Sequence, residues 1–329
     1  MKPTSLRGAT VVITGASSGI GRATALTFAR HGATLVLAAR RPEVLAEVAA
    51  ACEHLGARAL AVPTDVTDAR AVQQLAETAL AFGGRLDIWI NNAGSGAIGR
   101  FEEVPLAAHE QVIKLNLLGY LYGAHAVLPY FRRQGQGLLL NVVSLGAWLP
   151  EPYTASYGAS KYGLRGLMDT LRAELSNEPH IHVCDVHPSY IDTPGFQHGA
   201  NYMGRVVKPA PPVFPAQKVA DTLLAVARRP HPTTMVGWPA YALRWAYALA
   251  PSLVGRASRR LFDTYFQQAK PAPVADNSLF EPRPAPHGTE VSGGWRPPAA
   301  PSNGQWLGAA LLAGLAGLAV GAWAGQRRG

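Results

Sequence analysis

Charge is scarce in this chain of 329 residues, where Asp, Glu, Lys and Arg together make up 16%. With 48% of residues hydrophobic, disorder of the whole chain is excluded and one large core can be buried. Cysteine is scarcer still. Cys52 and Cys184 fall in different predicted elements, with no spacing that suggests a metal site or a redox pair. No metal is expected, and a reduced fold facing the cytoplasm follows. Acidic residues are the minority charge, 21 against 30 basic, for a net charge of +9. That excess suits an anionic partner, but the basic residues are scattered, without a long basic run or a base-stacking motif, so nucleic acid is not expected. The apolar run at 9–13, behind Lys2 and Arg7, is too short for a signal peptide.

What is present first is alternation. Over residues 8–236, short β-branched runs alternate with amphipathic stretches, the pattern of a parallel sheet covered by helices on both faces. Strands are predicted at 10–13, 34–38, 58–62, 88–90, 138–143, 181–186 and 233–236, and these seven fit one α/β domain, doubly wound and of the Rossmann type. A helical extension at 237–267 completes a domain over 1–267. Its Trp/Tyr/Ala-rich part, 239–253, is interrupted by Arg244 and too broken to span a bilayer, so it packs on the substrate side or lies in a membrane interface. The stretch 268–305, with eight prolines between Pro271 and Pro301, cannot build a core and is expected to be a linker.

The chain then runs through 306–324 without a charge, 19 residues that as a helix would cover roughly 28 Å, close to the hydrocarbon thickness of a bilayer. Trp306 and Trp323 stand near its ends, and Gly317, Gly321 and Gly325 recur every four residues. A single transmembrane helix is expected there; the rival is an apolar tail packed on a partner protein.

The chemistry begins at the end of the first strand. Thr14, Gly15, Ala16, Ser17, Ser18, Gly19, Ile20 and Gly21 make a glycine-rich turn that opens a helix, where free amides and the helix dipole favour a pyrophosphate. At the end of the second strand, where an NAD-binding domain would carry an acidic residue, Arg40 and Arg41 stand instead. Arg40 is placed to take a 2′-phosphate, although two solvated arginines in a loop would read the same way. NADP(H) is therefore favoured over NAD(H). Ser144 closes the fifth strand at the carboxyl edge of the sheet, and Tyr157 and Lys161, four apart, project from one face of the next helix. An ammonium near a phenol is expected to draw its pKa of about 10 toward neutrality.

The spacing T-G-x-x-x-G-x-G, the run Asn91, Asn92, Ala93, Gly94, and the Ser144, Tyr157, Lys161 set resemble the short-chain dehydrogenase/reductase family over residues 8 to 236. The resemblance implies an NAD(P)-dependent enzyme that interconverts a carbonyl and an alcohol. Gly15, Ser17, Ser18, Gly19, Ile20, Gly21, Arg40, Asp65, Val66, Asn91, Ala93 and Gly94 would hold the coenzyme, with Pro188 and Thr193 at the nicotinamide. Lys161 would also hold the nicotinamide ribose, and Asn116 would hold a water in a proton relay. Ser189 stands where the family's P-G-x-x-x-T segment has glycine, which leaves the local backbone path open; His187 beside it is expected to be structural. The resemblance further implies pairing through the helices that carry Asn116 and Tyr157, as a homodimer or homotetramer.

Specificity is expected from 145–154, including Trp148, and from 195–214, including Phe196, Tyr202 and Met203, around a small, largely apolar or lipid-like substrate. Arg327 and Arg328 follow the apolar segment while only Arg296 lies close before it, so the positive-inside rule alone would keep the tail in the cytoplasm; the need for a cytoplasmic nicotinamide pool places the domain there instead. A membrane-tethered dinucleotide sensor without turnover is the rival reading, but it has no need of all four catalytic side chains.

Overall fold

The computed structural model describes residues 6–282 and 288–296. In chain order the elements are β1 Thr10–Thr14, α1 Gly19–Arg30, β2 Thr34–Ala39, α2 Pro42–His54, β3 Arg58–Pro63, α3 Ala69–Gly83, β4 Ile88–Asn91 and β5 Ala97–Ile98. Next come α4 Leu106–Ile113, a π-helical turn Lys114–Leu118, α5 Gly119–Gln134, β6 Gly137–Val142, α6 Ala155–Glu174, β7 Ile181–Pro188 and β8 Ile191–Asp192. The chain continues through α7 Gly195–His198, β9 Ala200–Asn201, β10 Phe214–Pro215, α8 Ala216–Arg228, β11 Thr233–Val236, α9 Trp238–Leu249 and α10 Pro251–Gln268.

Seven strands form one parallel sheet in the order β11-β7-β6-β4-β1-β2-β3, the Rossmann-type arrangement read from the sequence. Its central strands are buried on both faces, because helices cover both, and so they read as continuous apolar runs rather than alternating ones. One core lies under α1, α2 and α8 around Phe28, Leu35, Leu45 and Leu223; the other, under α3, α5 and α6, is built on Trp89, Leu139, Phe131 and Met168. Strand order reverses between β1 and β4, and the crevice at that switch point is where an open α/β sheet binds ligands. The two-residue pairs β5 with β9 and β8 with β10 extend the crevice beyond the sheet. They are too short to leave a periodic signature in the sequence.

The stretch expected to run free as a linker lies against the domain throughout its described part. Ala275 pairs with Asn201 and Pro271 with Arg205 as isolated antiparallel bridges. Leu279 is fully buried beside Ala97, Val104, Ala108, Val112 and Ala200. Further on, Val291 packs against the core under α1. A proline-rich segment builds no core of its own, but it needs none when its side chains enter a core already formed and its backbone groups bond to the domain. Among the described residues no helix is long and apolar enough to cross a membrane, and 306–324 lies outside them.

Candidate active site

The glycine turn bends back across the end of β1. Gly21 packs so closely beneath it that a β-carbon there would collide with the Gly15 carbonyl and lie 2.7 Å from Asn92 Nδ2. Ser18 caps α1 without spending its hydroxyl on a capping bond, and the first turn of α1 has no acidic residue. Neither a capping hydroxyl nor an acidic side chain of the first turn competes with an anion at this helix N-terminus. Gly15, Ser17, Ser18, Gly19, Ile20, Arg40, Asp65, Val66, Ala93 and Gly94 all line one cleft here. This cradle fits the pyrophosphate and adenosine of a dinucleotide.

Asn91, expected at the coenzyme, and Asn116, expected to hold a relay water, have side chains bonded to other partners in this structure. The Asn91 side chain is buried between strands, accepting from Trp89 Nε1 at 2.8 Å and donating to Asn141 Oδ1 at 3.0 Å. Its neighbour Asn92 lines the cleft instead and ties it to β1, donating from Nδ2 to the Thr14 carbonyl at 2.9 Å. Side chains alternate along a strand, so one of two adjacent asparagines must turn inward. Asn116, in the π-helical turn, is fully buried; it donates to the Ser95 carbonyl at 2.8 Å and to Ser160 Oγ at 3.2 Å, and accepts from Ser95 N at 3.0 Å. Its bonds in this structure clamp the loop after β4 to α6.

Arg40 reaches the adenosine end of the cleft, but its guanidinium is already engaged. Nη1 donates to the Phe280 carbonyl and Nη2 to the Ser278 carbonyl, each at 2.6 Å. Arg41 Nη2 donates to the Gly288 carbonyl at 3.0 Å, Arg22 to the Thr289 carbonyl at 2.7 Å, and Gly19 N to the Glu290 carbonyl at 2.9 Å. The carboxy-terminal strap therefore lays carbonyl oxygens on the groups suited to phosphate, and Ser278 and Pro282 help line the cleft. Burial, above all, lowers the pKa of Arg40, with Asp65 and Glu281 opposing. Beyond Glu290 the strap is pinned by Asp192, whose carboxylate accepts from Ser292 Oγ at 2.8 Å, Gly293 N at 3.0 Å and Trp295 N at 2.9 Å.

The second cavity continues the first, with Ile20, Asn92, Gly94, Ser95, Thr193 and Gly195 lining both. Ser144, Tyr157, Lys161 and Pro188 open onto it. Ser144 Oγ accepts from Gly146 N at 3.0 Å, and its hydroxyl shares a hydrogen bond with the Tyr157 phenol. Lys161 sits 5.6 Å from the centroid of the Tyr157 ring and donates to the Val142 carbonyl at 3.4 Å.

The electrostatics correct an expectation. Burial first, and then the nearby Glu151 charge, raise the Tyr157 phenol above its ordinary range, against a smaller lowering by Ser144. Burial lowers Lys161 to about 7, so its own charge is partly lost at neutrality. Desolvation is the first cause at both groups, and the phenol stays protonated near neutrality.

His187 lies behind the site, with Nδ1 3.0 Å from the Ser144 carbonyl and 3.1 Å from Trp148 Nε1; burial lowers its pKa to about 4. Trp148 is turned away from the cavity and carries the Arg244 guanidinium 3.6 Å above its ring. Ser189 extends β7, donating from its amide to the Val236 carbonyl at 3.1 Å. Its hydroxyl fits because Gly237, at φ +99°, faces it; a β-carbon there would meet Ser189 Oγ at 2.5 Å. Of the expected specificity residues, Leu145, Thr154 and Phe196 line the cavity, whereas Tyr202 turns to a hydrogen bond with Asp276 of the strap. Glu151 and Tyr190, not singled out from the sequence, line it as well.

Residues 9–201 match the family model for short chain dehydrogenases. An uncharacterized oxidoreductase of Bacillus subtilis, YxnA, is 30% identical over an alignment of 338 positions that covers 100% of this chain and 93% of that protein. The 11-beta-hydroxysteroid dehydrogenase 1A of Arabidopsis thaliana is 34% identical over 273 positions, covering 79% of this chain and 77% of that one. Among solved structures, an alcohol dehydrogenase from the archaeon Thermococcus sibiricus complexed with 5-hydroxy-NADP superposes with a TM-score of 0.60 at 28% identity, over 69% of this chain and 95% of its own. A metagenomic short-chain oxidoreductase in complex with NADP gives 0.61 at 28% identity, over 71% and 98%. The dinucleotide cleft, the seven-stranded sheet and these likenesses agree: the chain belongs to the short-chain dehydrogenase family and is an oxidoreductase.

Proposed function

We propose that the protein reduces the carbonyl of a largely apolar substrate, and reoxidises the alcohol, with NADP(H) as the favoured coenzyme and Tyr157 as the proton donor. The observation that carries this reading is the sharing of one cavity by Ser144, Tyr157 and Lys161 with the glycine cleft beside them. Ser144 holds the substrate oxygen by a hydrogen bond and sets it against the Tyr157 hydroxyl, which gives up its proton as negative charge develops there. Lys161, with one protein hydrogen bond at 3.4 Å, has ammonium protons left for the ribose hydroxyls and for stabilising the phenolate left behind. Asn116 fixes Ser95 and α6, and so the position of Tyr157 and Lys161; the relay water the family resemblance implies would sit beside it. The bound coenzyme would supply the hydride.

Arg40 supports NADP(H), since a guanidinium at the end of β2 suits a 2′-phosphate and repels nothing there, as an acidic residue would. Structural neighbours bound to NADP or its 5-hydroxy derivative support the same choice. Ile98, Val142, Leu145, Ile191, Phe196 and Val207 give the substrate cavity its apolar lining, and the plant relatives named as hydroxysteroid dehydrogenases point to a bulky alicyclic alcohol or ketone. Residues 306–324 would tether the domain to a membrane on its cytoplasmic face; Trp238, Tyr241, Trp245 and Leu249, exposed along one side of α9, suit the same interface. Pairing through α5 and α6 would give a homodimer or homotetramer.

The test is NADPH and NADH oxidation, followed by absorbance in detergent, with ketones graded from small and polar to polycyclic. Faster turnover of the bulky ketones with NADPH is expected, and a strong preference for small polar ketones sinks the apolar assignment. Carbonate extraction of the expressed protein tests the tether, which is abandoned if the chain is released with soluble proteins.

A further inference from the structure

The substrate cavity holds more polar chemistry than the reaction uses. Ser144, Tyr157 and Lys161 account for the reacting oxygen and its proton, yet Glu151 and Tyr190 line the same cavity. Among the described residues neither side chain has a hydrogen-bond or ion-pair partner; their interactions are through-space ones, with each other and with Tyr157.

Local structure delivers Glu151 to this position. Its carbonyl accepts from Thr154 Oγ at 2.8 Å and Thr154 N at 3.3 Å, which closes the turn before α6 and leaves the side chain on the cavity side. A β-carbon built on Gly146 would lie 3.4 Å from Ser144 Oγ, 3.3 Å from Tyr157 Cε1 and 3.8 Å from Glu151 Cδ. The carboxyl group and the catalytic pair thus converge on one small volume. The half-buried carboxyl has lost part of its water without gaining a protein donor, and burial raises the Glu151 pKa to about 7. Such a group is satisfied when a ligand brings the donor.

Resting on the reaction proposed above, we propose that Glu151 accepts a hydrogen bond from a second hydroxyl group of the substrate, a few bonds from the reacting carbonyl. The preferred substrates are then hydroxylated ketones and the corresponding diols, with an apolar remainder. The Tyr190 phenol gives the hydroxyl a second partner, so both its donor and its acceptor capacity can be met. A site built this way rejects the analogue that lacks the hydroxyl, since the carboxylate is then left desolvated and unpaired.

Matched substrates test the idea: decalone and decalones hydroxylated alpha, beta or gamma to the carbonyl, each reduced with NADPH by the full-length protein and by Glu151→Gln, Glu151→Asp and Tyr190→Phe. The native protein should prefer one hydroxylated isomer in kcat/KM by about tenfold to a hundredfold, the span expected of one hydrogen bond to a charged group. That preference should collapse in Glu151→Gln, mainly through KM, and return in part in Glu151→Asp, while NADPH fluorescence reports that each variant is folded. Equal use of decalone and all its hydroxylated forms, or a preference that survives Glu151→Gln, overturns the inference and leaves the reaction standing. If the native protein reduces none of these ketones, the reaction proposed above and this inference fall together.

Discussion

Two walls face each other across the coenzyme cleft, and they are made in different ways. The inner wall is the carboxyl edge of the sheet, with β1, the glycine turn, α1 and Arg40 at the coenzyme and Ser144, Glu151, Tyr157 and Lys161 beyond β6, and its conformation follows from packing helices on a sheet. The outer wall is the strap at 269–282 and 288–296, which reaches back over more than two hundred residues and is held by carbonyls on Arg40, Arg41, Arg22 and Gly19 and by the Asp192 carboxylate. Strand ends are rigid and can carry chemistry; a segment with little core of its own opens at lower free energy and is suited to covering a site.

The largest effect belongs to the inner side. Tyr157→Phe should reduce kcat by about a hundredfold to ten-thousandfold, the usual worth of a positioned proton donor, with NADPH affinity and hydrogen exchange in the strap unchanged. A variant that kept near-native kcat would show that the phenol is not the donor and would remove the chemical asymmetry between the walls.

Arg40 joins both walls, so Arg40→Ala should register on both. NADPH binding should weaken by about tenfold to a hundredfold with little change for NADH, as expected for loss of a charge-assisted pair. Backbone amides near Ser278 and Phe280 should exchange faster in the same variant, measured by mass spectrometry, because two carbonyl anchors are lost. Weaker binding with an unmoved strap would mean that its other anchors, Leu279, Asp192 and the bonds from Arg41, Arg22 and Gly19, suffice to hold it. Asp192→Ala should act more narrowly, destabilising the folded state by about 1–3 kcal/mol as three donors lose their acceptor, and raising exchange at 288–296 more than at 278–281. Uniform exchange across both segments would show that the strap opens as one unit.

The same contrast governs what the sequence disclosed. Each strand of the large sheet lies within one or two residues of its expected span, because a parallel sheet buried on both faces writes continuous β-branched runs between helical ones. The glycine turn, Ser144, Tyr157 and Lys161 were legible because their spacing is set by elements adjacent in sequence. Distinguishing Asn91 from Asn92 needed the phase of β4, which two neighbouring asparagines do not reveal. The strap was illegible for another reason: its composition states that it builds no core, and says nothing of cores or carboxylates two hundred residues away that accept it. Glu151 lies inside the expected specificity stretch 145–154 but was not singled out there, since only burial distinguishes it. Lys161 was expected to acidify Tyr157, an argument from charge alone that left out the desolvation of both groups.

The smallest effect is a dependence of stability on pH that the inner wall should show through Glu151. Its carboxyl has an ordinary pKa near 4.5 when unfolded and about 7 when folded, because burial disfavours the charged form. A group whose pKa is raised on folding binds its proton more tightly in the native state, so its contribution is fully present below about pH 4.5 and is lost as the pH rises through about 7. Tyr157, Tyr190 and Lys161 share its cavity, and the two phenols stay neutral across this window. Glu151→Gln removes the titration, so its melting temperature relative to the native protein should climb between pH 5 and pH 8. Because the carboxyl opens onto the cavity and is partly solvated, the difference should reach roughly 1 kcal/mol, well short of the full shift. His187, lowered to about 4, works in the opposite sense and destabilises the fold as the pH falls from about 6.5, but it is common to both proteins and cancels in the comparison. A melting difference that stays flat across this range would show that Glu151 is solvated like a surface carboxylate.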